Sequence, residues 1–139
     1  MNSEELVFQS NNLSTEKVLI NWLDAWKQKE WVRMKEFSQI TWKANEKNPE
    51  ETLSTFYKNT ELLSFELNMN NKWQPIGKCI CKIPLVVRYY FVNAIYSATC
   101  LATLVQEQAP YAASFNGNWG VNPISMLKRT VRKEVQSNE

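Results

Sequence analysis

Histidine is absent from this 139-residue chain. The side chain whose ordinary pKa lies nearest neutrality is therefore missing, and carboxylates and tyrosines are left as the groups able to move protons near pH 7. Cysteine is scarce: Cys79, Cys81 and Cys100 are too few and too closely set for a disulfide framework, and an odd count suits a reducing compartment. Cys79 and Cys81 share one face of an extended segment, and Cys100 could approach from a neighbouring strand. Three sulfurs still fall short of the four ligands a structural zinc takes, so thiols acting as small hydrophobes are the expectation. A catalytic thiol has no imidazole here to lower its pKa. No metal and no cofactor is expected. There is no glycine-rich phosphate loop, no serine-nucleophile elbow and no HExxH helix, which removes the usual marks of nucleotide hydrolysis, acyl transfer and metalloprotease chemistry.

Long apolar runs are missing as well. The first twelve residues, MNSEELVFQSNN, carry two acidic groups where a secretory leader carries basic ones, and no stretch is long enough to span a bilayer. A cytoplasmic location without membrane association is expected. Sixteen basic residues against fourteen acidic ones leave a net charge of +2, too weak a field to gather a polyanion, so nucleic acid is not an expected partner. Lys128, Arg129, Arg132 and Lys133 form the one local excess and read as a solvated basic tail over residues 128–139.

Aromatic residues, by contrast, are abundant: six Trp, five Tyr and six Phe. So much ring area must be taken out of water, which implies either a thick aromatic core or an aromatic-walled pocket. After an N-terminal arm over 1–12, Ser14 reads as a helix N-cap. Val18, Leu19, Trp22, Leu23, Ala25 and Trp26 follow it at helical spacing. Trp31, Met34 and Phe37 line a second, shorter helix, with Ile40-Thr41-Trp42 leaving it in extended form. Asn48-Pro49-Glu50-Glu51 combines an Asn cap, Pro in the first turn and Glu three residues on, and starts a third helix with Leu53, Phe56, Tyr57 and Thr60 on one face, ending near Glu61. The period then changes to two, with Leu63, Phe65, Leu67 and Met69 alternating with polar residues. Two long extended runs, Cys79 to Val92 and Ala94 to Gln108, are joined at Val92-Asn93-Ala94, with Pro84 marking an edge or bulge. A last extended piece ends at Pro123, and Ser125 to Val135 reads as a short helix or turn. One domain over 13–127 accounts for these elements.

Several of these segments carry a family resemblance: Trp22-Leu23-Asp24-Ala25-Trp26, Trp31 and Met34, and Thr52 to Tyr57 ahead of Leu63-Ser64-Phe65-Glu66-Leu67. Ile83 to Tyr89, Thr103 to Glu107 and Asn118 to Pro123 continue it. In order and pattern the chain resembles small nuclear transport factor 2-like proteins. The resemblance implies an α+β cone, with N-terminal helices packed in the concave face of a curved, mainly antiparallel sheet. It also implies an apolar pocket between helices and sheet, and a homodimer formed through the sheet. The superfamily includes ketosteroid isomerases, dehydratases, polyketide cyclases and transport adaptors, so the fold selects none of these. The missing histidine removes the His-dependent dehydratases.

On this resemblance Trp22, Trp26, Tyr57, Phe65, Arg88 and Tyr96 would line the pocket. Glu66 and Glu107, each beside apolar strand neighbours, are candidate bases, although alternation also allows both to face outward. Tyr90 is a candidate proton donor; Tyr89 must face the other way. Arg88 could hold a ligand carboxylate or pair with Glu107 across strands. Asp24, the only Asp, falls with Asn21 and Gln28 on the solvated side of the first helix. The leading expectation is non-catalytic binding of a small apolar ligand or a protein partner. A cofactor-independent isomerase, cyclase or dehydratase, and a structural dimerisation module whose cone is filled by its own Trp side chains, are the alternatives.

Overall fold

A computed structural model describes residues 13–108 and 112–134. The expected arm over 1–12 lies outside the described residues. Helix α1, Thr15–Gln28, starts where Ser14 Oγ accepts from Lys17 N–H at 3.2 Å, and ends at Lys29 in the left-handed region. Its buried stripe is Val18, Leu19, Trp22, Leu23, Ala25 and Trp26, as the helical spacing predicts. Helix α2 is Trp31–Glu36. Ile40–Ala44, expected extended, is instead a short helix, α3. Helix α4, Pro49–Tyr57, begins at the Asn48 cap and stops earlier than Glu61 because β1 starts there.

Strands β1 (Glu61–Leu67), β2 (Ile80–Phe91) and β3 (Ala94–Gln108) form an antiparallel meander, and β3 is long enough to take further partners on its other side. Near one end these are β4 (Ala112–Ala113) and β5 (Asn118–Val121); near the other it is β6 (Arg129–Lys133). The result is an α+β architecture in which four N-terminal helices sit against a curled, all-antiparallel half-barrel. Two further expectations change. Leu63 is the extra residue of a bulge between Leu62 and Ser64, so it faces out while Leu62 takes the buried place. The segment expected as a helix or turn over 125–135 is a 3-10 turn, Pro123–Leu127, followed by β6. The charge run at 128–133 thus belongs largely to the sheet.

Pro84 sits in β2, a central strand, opposite Leu101. Its tolerance there has a simple cause. The N–H and C=O of an extended residue point to the same neighbour, and Pro84 O accepts from Asn68 N–H, where β1 has already ended. The missing Pro donor therefore removes nothing from the β2–β3 ladder. Gly120 permits a close approach of two backbones, since a Cβ there would fall 2.7 Å from the main chain of Ser38 and Gln39. That approach lets Gln39 N–H donate to Val121 O and Val121 N–H donate to Phe37 O, both at 2.8 Å, which docks the α2–α3 connection on β5.

The β2–β3 turn holds Val92 at φ 44° and Asn93 at φ 64°. Asn accepts the left-handed region readily, but a β-branched residue does not. Val92→Asn is expected to stabilise the fold by about 1 kcal/mol, a rise of roughly 3–5 °C in Tm by calorimetry. An unchanged or lower Tm would show that Val92 carries no strain.

The core lies between the inner faces of α1 and α4 and the concave side of the sheet. There Cys81, Ile83, Leu85, Val87 and Tyr89 of β2 alternate inward, with Ala98, Cys100, Ala102 and Leu104 of β3 beside them.

Candidate functional site

Three rings gather between the helices and the concave side of the sheet. Trp22, Trp26 and Tyr57 are each buried and packed edge to face or tilted, with centroids 6.4 Å apart for Trp22–Trp26, 5.4 Å for Trp22–Tyr57 and 4.8 Å for Trp26–Tyr57. Their polar tips are all satisfied. Trp22 Nε1 donates to Ser38 Oγ at 3.0 Å, and Ser38 donates on to Met34 O at 2.8 Å. Trp26 Nε1 donates to Thr60 O at 2.9 Å, and the Tyr57 hydroxyl donates to Pro123 O at 2.6 Å. Burial pushes the Tyr57 phenol well above its ordinary range, a shift that nearby Arg129 only partly offsets. A phenol so held stays protonated and is spoken for by a backbone carbonyl.

Arg129 closes the open side of this cluster. Its position opposite Cys100 on β3 turns its side chain inward, and its guanidinium carbon lies 5.4 Å from the Trp26 ring centroid, 5.8 Å from Tyr57 and 5.2 Å from Tyr89. The Nε–H donates to Met126 O at 2.8 Å and fixes the plane of the fork. Three rings around one guanidinium make an aromatic cage, in which ring faces supply the negative side of the interaction. Reading residues 128–139 as a solvated tail misses Arg129. The available signal was the period of two in β6, which sends Arg129 and Val131 to one face and Thr130 and Arg132 to the other.

The candidate bases separate. Glu107 is buried, 6% exposed, and accepts from Thr41 N–H at 3.0 Å, Thr41 Oγ1–H at 2.6 Å and Gln39 Nε2–H at 3.3 Å. It caps the first turn of α3 from a neighbouring strand, and its oxygens are committed there. Glu66 faces out on the convex side beside Val86, exposed. Tyr90 is also outward and exposed, its hydroxyl donating to Asn93 Oδ1 at 3.1 Å within the hairpin turn. The structure does not bring these three together.

Of the expected pocket residues, Trp22, Trp26, Tyr57, Phe65 and Tyr96 pack on the inner side, Tyr96 stacked on Tyr89 at 5.7 Å. Arg88 is on the outer side and grips Glu134, through Nε at 2.7 Å and Nη2 at 2.9 Å, rather than Glu107. The register explains the difference. Arg88 stands opposite Ser97, and Glu107 lies ten residues farther along the same strand, roughly 33 Å away at strand rise. The Arg88 pairing holds the Glu134 carboxyl below its ordinary range. Asp24 is half-buried and accepts from Arg33 Nη1 at 2.9 Å. Cys81 and Cys100 are buried free thiols whose pKa values are raised by desolvation. Among the described residues no three His, Cys, Asp or Glu side chains converge as a metal site, and no helix is long and apolar enough to cross a membrane.

Two grooves flank the convex face of the sheet. One, of about 620 Å³, is walled by Glu66, Met69, Pro84, Val86 and Thr99 among others. The other, of about 410 Å³, is walled by Lys82, Leu101, Thr103, Ile124 and Lys128 among others. Between them Pro84, Val86 and Leu101 form an apolar ridge, Pro84 directly opposite Leu101; Val86 is 41% and Leu101 45% exposed. No family model, curated protein or solved structure matches the chain.

Proposed function

We propose that this chain is a non-catalytic, cytoplasmic interaction domain of nuclear transport factor 2-like type that pairs with a second copy of itself through the convex face of its sheet. The observation that carries the reading is the order of features across that face. An acidic groove edge at Glu66 comes first, then the ridge of Pro84, Val86 and Leu101, then a basic groove edge at Lys82 and Lys128. A two-fold rotation lays such a surface on itself with ridge against ridge, and brings each Glu66 edge toward the other copy's lysines. Exposed Ile124 and Leu127 widen the apolar area on the basic side. An isomerase-type reading needs a carboxylate facing an open cavity beside a tyrosine donor, and the placements of Glu66, Glu107 and Tyr90 lend it no support.

Sedimentation equilibrium tests the proposal. The intact chain is expected at twice its 16.3 kDa mass at micromolar concentration. Leu101→Glu places a charge at the centre of the ridge without entering the core, and is expected to sediment at 16.3 kDa with an unchanged circular dichroism spectrum. A monomeric parent chain, or a variant that still pairs, would contradict it.

A further inference from the structure

Arg129 is provided for on one side only. Arg33 pairs with Asp24 and Glu30, and Arg88 with Glu134, yet Arg129, half-buried, has no carboxylate in ion-pairing range among the described residues. Its Nε–H is taken by Met126 O and the Tyr57 hydroxyl lies within reach of the guanidinium, which accounts for only part of its five N–H donors. Arg129 is half-buried, so part of the residue stays at the surface beside the cage. Ring faces attract a guanidinium without filling its in-plane donor positions. A planar fork held flat by rings, with donors left over, is the arrangement that takes a carboxylate through two parallel hydrogen bonds.

Beyond the fork the inner face is aromatic and aliphatic, with Lys133 at its edge. From the cage, Tyr89 stacks on Tyr96 at 5.7 Å, and Phe91 meets Tyr96 edge on at 6.4 Å. On β6, Val131 follows Arg129 on the same face, stands opposite Ala98 and is 47% exposed, and Lys133 stands opposite Tyr96. An aromatic and aliphatic shelf thus leads from the guanidinium toward the hairpin end of the concave face.

We propose that the Arg129 cage is a binding site for a small organic carboxylate with a flat apolar body, the carboxylate seated on the guanidinium and the body lying on Tyr89, Tyr96 and Val131. Benzoate is the probe, with inorganic phosphate as the comparison. In ¹H–¹⁵N spectra benzoate is expected to shift the Arg129 Nε–H signal and the amides of Tyr89, Tyr96 and Val131 saturably, and phosphate to do so more weakly. Arg129→Lys keeps the charge but loses the fork, and should weaken benzoate by roughly tenfold or more. Arg129→Met should abolish the shifts. Leu101→Glu, altered on the opposite face, should bind benzoate as the parent chain does, which separates this site from the pairing surface. No saturable shift in the parent chain, unchanged binding in the lysine variant, or phosphate binding as tightly as benzoate would overturn the assignment. Circular dichroism verifies folding, and the lysine variant decides the matter if the methionine variant does not fold.

Discussion

Trp26→Ala is expected to destabilise the protein by about 3–5 kcal/mol, the range for emptying a large aromatic site in a packed core. Trp26 is fully enclosed, touches Trp22 and Tyr57 through its ring, and carries one face of the Arg129 cage. Its removal deletes ring burial, leaves the Thr60 carbonyl without its indole donor, and withdraws one of three rings from a half-buried cation. The surrounding groups cannot collapse inward easily, because Trp22 and Tyr57 are themselves tied to Ser38 and Pro123. Trp73 supplies the contrast. At 52% exposed, with Lys82 above its ring, its replacement by alanine should shift stability by no more than about 1 kcal/mol. Urea unfolding of both variants measures the difference. Equal losses would mean that the three-ring cluster is not the mechanical centre of the domain.

Glu107→Gln should lower stability by about 2–3 kcal/mol while preserving side-chain volume. The carboxylate receives three donors and needs none, whereas an amide presents two N–H groups of its own to the same partners. Thr41 or Gln39 then loses its acceptor in a part-buried contact, and α3 loses the negative charge at its first turn. Glu66→Gln, on the open convex face, should stay within about 0.5 kcal/mol. A urea midpoint that falls for the Glu107 variant at unchanged slope identifies a loss of native contacts. A neutral Glu107→Gln would show that this buried carboxylate does not hold α3 in place.

Local chemistry made much of the fold legible. Ser14 and Asn48 marked the starts of α1 and α4 through side-chain capping, which depends on neighbours three residues away. The alternation through β2 and β3, with Val92-Asn93 between them, marked the long hairpin. Features set by distant contacts were hidden. The bulge at Leu63 answers to the register with β2, and a slip of one residue leaves the apolar composition of the strand unchanged. The helix at Ile40 to Ala44 is held by Glu107, sixty-six residues from Thr41 in sequence, so no local signal announces it. Arg129 was legible as a charge, not as a core group. In Lys128-Arg129-Thr130-Val131-Arg132-Lys133 the run looks uniformly basic until strand pairing assigns alternate faces. The aromatic count foretold either a filled core or a walled pocket, and only the ring-to-ring distances favour the first.

Whether Trp22, Trp26 and Tyr57 occupy the interior that a ligand would otherwise enter can be measured directly. Indole, matched in shape to the Trp26 side chain, can be titrated into the intact chain and into Trp26→Ala, following the amides of Leu19, Leu23 and Ile83 by NMR. With the rings filling the interior, those buried positions are expected to show no saturable shift in the intact chain, and the variant is expected to take indole into the vacated space. Saturable binding of indole among Leu19, Leu23 and Ile83 of the intact chain would contradict a ring-filled core, and would restore an internal ligand site to the protein.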